Sequence, residues 1–103
     1  MFQIGSTYSR NDIHAQVGGG MRSCLLTSKG NVVGICFIPE KNPQAPRVIM
    51  VGPGRHSEKA AQLLVTQAAA VPVFAKKEPK AYEHLGSFRG EGYSDGVLRL
   101  APV

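Results

Sequence analysis

The positions of the apolar residues along the chain predict several short strands. Residues 32–38 form an almost continuous apolar run rich in β-branched side chains, which is typical of a buried strand. Shorter apolar or alternating stretches predict further strands at 21–28, 47–51, 71–75, 81–89 and 96–100. A short strand is expected before Gly5, with a turn after it, and Lys29-Gly30-Asn31 predicts a tight hairpin.

Two other stretches predict helices. Ser57 is a candidate N-cap, Glu58 suits the positive end of a helix dipole, and residues 59–70 are mostly strong helix formers. The face expected to pack on the sheet consists of Ala60, Ala61, Leu64, Val65 and Ala68. A shorter helix is expected over residues 13–16, with Asn11 or Asp12 as its N-cap, and the glycines at 18–20 should end it.

These elements predict the fold class. The chain has 103 residues, the length of one domain with a core large enough to fold without disulfides. Six or seven short strands must cover their apolar face, and one main helix with one short N-terminal helix can do so. We expect an α+β fold in which residues 1–103 form a single domain, a small curved, barrel-like mixed β-sheet with these two helices.

Charge and composition narrow the expected partners. Twelve Lys and Arg residues against seven Asp and Glu residues give a net charge of +5. This excess favours an anionic partner, most commonly nucleic acid, although a solvated basic surface has the same composition. No apolar run is long enough to span a membrane, and the first residues do not resemble a secretory signal. The two cysteines are too few for a disulfide scaffold, so we expect a cytoplasmic location.

The spacing of cysteine and histidine gives no support for a metal or other cofactor. The three histidines and two cysteines form none of the usual zinc-binding motifs. Cys24 and Cys36 fall in predicted strands, where a free cysteine is usually a small buried residue. One alternative is a small enzyme in which His14 or His56 acts with a cysteine, which requires the pair to lie within hydrogen-bonding reach.

Two glycine-rich segments are candidate anion sites. The glycines at 18 and 19 allow a close backbone approach, and Arg22 would supply charge beside them. Arg55, His56 and Ser57 lie where the main helix is predicted to begin, and free amides at a helix start favour an anion. A flexible connection explains the first segment equally simply. A basic run at Lys76, Lys77 and Lys80 is expected to form a solvated turn.

The densest polar cluster is Tyr8, Arg10 and His14. Tyr8 could stack on a base, Arg10 could bind a phosphate or a guanine edge, and His14 could hydrogen-bond a ligand. The alternative is that Tyr8 packs in the core and Arg10 pairs with Asp12 at the surface. The residue types alone do not decide between these interpretations.

The same cluster resembles a known family. The pattern that carries the resemblance is Ile4-Gly5-x-x-Tyr8-x-Arg10-x-x-Ile13-His14 followed by Gly18-Gly19. It resembles the opening of the SRA-like (PUA-like) domain of McrA-type HNH restriction endonucleases, which recognises modified DNA. Looser similarity continues through the Val71-Pro72-Val73-Phe74 strand and the stretch from Tyr82 to Phe88. The glutamine-rich run that follows the glycines in that family is replaced by Met21-Arg22-Ser23-Cys24.

The resemblance implies a nucleic-acid-binding module, with DNA expected rather than RNA. Such a module could recognise a modified base or one displaced from the duplex, and without an HNH motif it should not cut DNA itself. The residues expected to contact nucleic acid are Tyr8, Arg10, His14, Gly18, Gly19, Arg22, Arg55, His56 and Ser57. The competing hypothesis is a protein-interaction or inhibitor module with the same fold and a defined protein partner.

Overall fold

Seven strands and two helices make up the fold in a computed structural model that describes residues 2–20, 23–52 and 54–103. In chain order the elements are β1 (Thr7–Tyr8), α1 (Arg10–Val17), β2 (Leu25–Ser28), β3 (Asn31–Phe37), a 3-10 turn (Pro39–Lys41), β4 (Val48–Met50), α2 (Arg55–Thr66), β5 (Val71–Glu78), β6 (Ala81–Ser94) and β7 (Val97–Pro102). Neither helix of the described residues has the length and apolar character needed to cross a bilayer.

The strands form one mixed sheet in the order β2-β3-β5-β6-β7-β4. The pair β3–β5 is parallel and the other pairs are antiparallel. β5 occupies one edge of the first half of β6, so β1 pairs along the opposite edge, where β7 takes over further along. The sheet curls into a half-barrel with two helices, which confirms the predicted α+β class.

Successive side chains of a strand point to opposite faces of the sheet, and each face carries a separate core under one of the helices. Ile35 and Phe37 of β3 belong to the larger core, which includes Ala60, Ala61 and Leu64 of α2. Cys36, between them, points to the opposite face and joins a smaller core around Ile13 of α1. The remaining buried members of the smaller core are Leu26, Phe74 and Tyr82.

Helix α2 lies directly on the backbone of β6 at Gly90. A Cβ atom at this position would lie 3.0 Å from the amide nitrogen of Val65 and 3.1 Å from the carbonyl carbon of Leu64. The missing side chain therefore sets how closely the helix approaches the sheet. Ala68, expected on the packed face, is exposed because the helix ends at Thr66.

Both helix starts differ from the expected ones. Ser9, not Asn11 or Asp12, is the N-cap of α1: its Oγ accepts from the Asp12 amide at 3.0 Å, and the Asp12 carboxylate accepts from the Ser9 amide. This reciprocal pair is a capping box. Helix α2 begins two residues before the predicted Ser57, because Gly54 adopts a φ of 116° and forms the N-cap without a side-chain hydrogen bond.

Several strand boundaries also differ. The first strand follows Gly5 instead of preceding it, because residues 4–5 form a turn. The strand predicted at 21–28 covers only Leu25–Ser28, and Met21 lies outside the described residues. The strand predicted at 81–89 continues to Ser94, since its second half pairs with β7. The hairpin at residues 29–31 is confirmed, with Lys29 and Gly30 at φ 52° and 83°.

Candidate functional site

Arg10 and His14 of α1 hold the glycine-rich loop that follows the helix. One terminal nitrogen of Arg10 (Nη2) donates to the carbonyls of Gly20 and Ser23, both at 2.9 Å. Nδ1 of His14 lies 2.8 Å from the carbonyl oxygen of Gly19. These contacts fix the loop at both of its ends. The Arg10–Asp12 surface pair considered in the sequence is not formed, because the Asp12 carboxylate caps the helix.

Gly19 approaches the chain's own β2. It adopts a φ of 84°, and a Cβ atom there would lie 2.8 Å from Cβ of Leu26. Gly18 is the C-cap of α1, with its amide bonded to the carbonyl of His14 at 2.8 Å. Both glycines are therefore packed against α1 and β2, and their expected contact with nucleic acid stays a prediction. Arg22 lies outside the described residues.

Tyr8 is a half-buried member of an aromatic cluster. Its ring makes edge contacts with Phe2 and Phe74, with ring centroids 4.9 Å and 6.2 Å apart. Its hydroxyl accepts from the amide of Gln3 at 2.8 Å. Both ends of the side chain are thus occupied by the protein, and stacking of Tyr8 on a base stays a prediction.

An open cleft of about 420 Å³ lies beside Arg10, at the ends of β3 and β4. Met50 and Ile38 line it and expose 52% and 38% of their surface, so the cleft presents two large apolar side chains to solvent. Lys41, Lys76 and Arg10 give the cleft three positive charges. None of the described residues that line it is acidic. The other lining residues are Cys24, Cys36, Phe37, Asn42, Gly52 and Tyr82.

Asn42 fixes one wall of this cleft. Its side chain is buried and bridges two segments, donating to the Ile38 carbonyl at 2.9 Å and accepting from the Met50 amide at 2.6 Å. The loop after β3 is thereby attached to β4, which holds Ile38 and Met50 on the same wall. The segment from Pro39 to Pro46 therefore contains a buried polar anchor.

The guanidinium of Arg10 supplies positive charge at the inner end of the cleft. Its central carbon lies 5.6 Å from the centroid of the Tyr82 ring, within cation–π range. Its Nε is buried and has no hydrogen-bond partner among the described residues. The Arg10 guanidinium therefore lies beside an open cavity, held over the Tyr82 ring, with one of its N–H groups lacking a hydrogen-bond partner among the described residues.

The two cysteines have the chemistry of buried thiols. Burial raises the pKa of Cys24 to about 11 and that of Cys36 to about 12, and the nearby charge of Arg10 only partly opposes this rise. Thiols with such pKa values are protonated at neutral pH and are poor nucleophiles. Cys24 and His56 line a common cavity, but no hydrogen bond joins them in the described part of the chain. This geometry gives no support to the cysteine–histidine alternative.

The start of α2 lies on the same side of the molecule as the cleft. Arg55 and His56 are exposed and Ser57 is half-buried. A hollow of about 260 Å³ lies between His56, Ser57 and Ser23, and it also touches Cys24 and Gly52, which line the cleft. Arg10 donates a hydrogen bond to the Ser23 carbonyl, so the start of α2 lies beside the glycine-rich loop that Arg10 holds.

Most residues of the cleft were not predicted from the sequence. Lys41, Asn42, Met50 and Tyr82 were not singled out, and Lys76 was assigned to a solvated turn. In the structure Lys76 lies on β5 and lines the cleft, whereas Lys77 pairs with Glu83 at 3.2 Å. One available signal was the apolar Met50 in the predicted strand 47–51, where side-chain alternation places it on the face opposite to Ile49, which the structure shows to be buried. No group of three or more potential metal ligands occurs in residues 2–20, 23–52 and 54–103.

The comparisons with known proteins bear on the fold. No family profile and no curated protein matches the chain. Among solved structures, it is similar to the SRA domain of SUVH5, crystallised in complex with hemimethylated CG DNA. The TM-score is 0.73 at 16% sequence identity, and the match covers 99% of this chain and 89% of that one. The half-barrel with two helices described above is therefore an SRA-like fold, as the sequence resemblance implied.

Proposed function

We propose that this chain is a nucleic-acid-binding module whose cleft accepts a base displaced from duplex DNA. The observation that carries the proposal is the combination, in one open cavity, of three positive charges with the exposed apolar side chains of Met50 and Ile38. Phosphates are neutralised by Lys and Arg, whereas a base is held by apolar and aromatic contact. The cleft offers both on an SRA-like fold.

The dimensions of the cleft are compatible with this role. Its volume of about 420 Å³ lies within the usual range of small-ligand pockets, about 300–1,000 Å³. Displacing a base costs a few kcal/mol, which contacts inside a pocket and to the flanking phosphates must offset. The solved SRA domain of SUVH5 is in complex with hemimethylated CG DNA, so such a duplex is the first ligand to test.

The proposal gives the named residues two kinds of role. Met50 and Ile38 contact the base, while Lys41 and Lys76 bind the phosphates on either side of it. Arg10 contributes charge and positions the loop. Tyr8, His14, Gly18 and Gly19 support α1 and the glycine-rich loop through the contacts described above, and Arg22, Arg55, His56 and Ser57 are assigned to a neighbouring phosphate. Residues 1–103 act as a single module with no catalytic step of their own.

The proposal is tested by placing a negative charge in the cleft. Met50→Glu should weaken binding to a fluorescent duplex by about tenfold or more, because the carboxylate repels the phosphates and cannot replace the apolar contact. Met50 is half-exposed, so the variant should fold. Ile4→Glu is the matched control, since Ile4 is 75% exposed and does not line the cleft.

The assay is fluorescence anisotropy with hemimethylated and unmodified duplexes at about 50 mM salt. Tighter binding of the hemimethylated duplex would support recognition of a modified base. Equal effects of Met50→Glu and Ile4→Glu, or no binding by the unaltered protein, would contradict the proposal. The second outcome would favour the protein-interaction module.

A further inference from the structure

A second basic hollow lies outside the cleft, between the β2–β3 hairpin and α2. Its volume is about 270 Å³, and Lys29, His56 and Lys59 line it together with Ser28. Lys29 is presented by the hairpin turn, with a φ of 52°, while His56 and Lys59 are one helical turn apart on α2. Two separate elements thus direct basic side chains toward one concave surface.

The charges of this hollow are not neutralised by the protein. None of the described residues that line it is acidic. The ion pair found among the described residues joins Lys77 to Glu83, which leaves Lys29 and Lys59 without a carboxylate partner there. Both lysines are exposed, and the hydroxyl group of Ser28 adds a hydrogen-bond donor beside them. This set of donors suits an oxyanion such as a phosphate group.

The hollow lies near the cleft, with the hollow at the start of α2 between them. It shares His56 and Ala60 with the intermediate hollow at the start of α2. That intermediate hollow shares Cys24 and Gly52 with the cleft. The three cavities are therefore neighbours, and we call this series, from Lys76 at the cleft to Lys29 at the hairpin, the furrow. An isolated anion site would not need a series of neighbouring cavities, whereas a nucleic-acid strand that crosses this surface would contact several of them.

We propose that this furrow guides the nucleic-acid strand as it leaves the cleft, and that Lys29, His56 and Lys59 bind one of its backbone phosphates. The inference rests on the proposed function, because the strand is the one whose base occupies the cleft. The contact is to phosphate only, so it adds affinity without distinguishing one base from another. The molecule measures 30 Å in its longest dimension, about nine base pairs of duplex at 3.4 Å each.

The test uses the salt dependence of duplex binding by a Lys29→Gln/Lys59→Gln double variant. Loss of one phosphate contact should reduce the slope of log affinity against log salt by about 1. At about 0.1 M salt this corresponds to roughly a fivefold to tenfold loss of affinity. The ratio of affinities for hemimethylated and unmodified duplexes should not change. Glutamine has nearly the helix propensity of lysine, so α2 should be preserved.

Lys80→Gln is the matched control, because Lys80 is exposed in the β5–β6 turn and lines none of the three cavities. It should leave the slope unchanged. If the unaltered protein binds the duplex and the double variant keeps the full slope, the proposed phosphate contact of Lys29 and Lys59 is wrong, while the proposed base site in the cleft is unaffected. If the unaltered protein binds no duplex, the proposed function fails, and the inference fails with it.

A titration with inorganic phosphate separates a strand from a free anion. Amide NMR signals of the hairpin and α2 should move with the duplex at concentrations where phosphate alone leaves them unchanged. Movement with inorganic phosphate at the same concentrations, combined with an unchanged slope in the double variant, would identify a free-anion site and overturn the strand assignment.

Discussion

At the scale of single residues, the side chains that carry the sequence resemblance act mainly on this chain's own backbone. Arg10 and His14 hold carbonyls of the glycine loop, and Ile13 is fully buried. The sequence located this cluster because its residue types and spacing are distinctive. It could not show that Nη2 of Arg10 and Nδ1 of His14 already have partners, since those partners are carbonyls of a loop whose path only the fold determines.

Two substitutions of Tyr8 distinguish a role in packing from a role in DNA binding. Tyr8→Ala should lower the free energy of unfolding by about 2–4 kcal/mol, because it removes a half-buried ring from its contacts with Phe2 and Phe74. Tyr8→Phe keeps the ring and loses one hydrogen bond, so its cost should be about 1 kcal/mol or less. Chemical denaturation of the two variants provides the measurement. Weaker DNA binding by Tyr8→Ala with unchanged stability would instead support stacking on a base.

His84 should make stability depend on pH. It is buried between Phe2 and Phe74, and its Nδ1 has no hydrogen-bond partner among the described residues. Burial lowers its pKa below the ordinary value of 6.5, and a backbone contact with Val73 only partly opposes this. The unfolded chain therefore binds a proton more readily than the folded protein. Stability should be complete above pH 6.5 and should fall as the pH drops below that value.

The measurement is the thermal midpoint at neutral pH and in the acid range. His84→Phe should reduce the acid loss, because a phenyl ring has no site for a proton. His56→Gln is the matched control, since it removes a histidine from an exposed position. An identical acid loss in His84→Phe and the unaltered protein would exclude His84 as its source.

At the scale of elements, the sequence predicted the strands and helices whose formation depends on neighbouring residues. The apolar run of β3 and the helix formers of α2 depend on neighbouring residues, and both elements were found. The start of α2 was misplaced, because Gly54 caps the helix by its backbone conformation, whereas Ser57 only has the composition of a cap. The cleft was missed because Met50 and Lys76 belong to β4 and β5, which the sheet order separates. No sequence pattern encodes that arrangement.

The contact between α2 and β6 can be tested with two glycines of the same strand. Gly90→Ala should destabilise the fold by about 1–3 kcal/mol, because its methyl group would press on the backbone of Leu64 and Val65. Gly92→Ala meets the flexible end of Arg99, at 3.2 Å, so it should be nearly neutral. Urea denaturation of both variants gives the comparison. Equal stabilities would show that α2 does not lie this close to β6.

At the scale of the whole molecule, the curled sheet separates structural support from the proposed binding surface. Helix α1 covers one face and α2 the other, and the proposed furrow runs from the cleft, which is lined by the ends of β3 and β4, toward the hairpin beside α2. The net charge of +5 gave only a general preference for an anionic partner. The fold makes that preference local, because it gathers Lys41, Lys76 and Arg10 around one cavity without an acidic neighbour among the described residues lining it.

The most direct test of the central proposal is the slope of log affinity against log salt for duplex DNA. With about three to five phosphate contacts, the unaltered protein should give a slope of roughly −3 to −4. Lys41→Gln/Lys76→Gln should reduce its magnitude by about 2, one unit for each lost contact, while Lys80→Gln should leave it unchanged. A flat response, or a double variant with the full slope, would contradict binding of nucleic acid at the cleft.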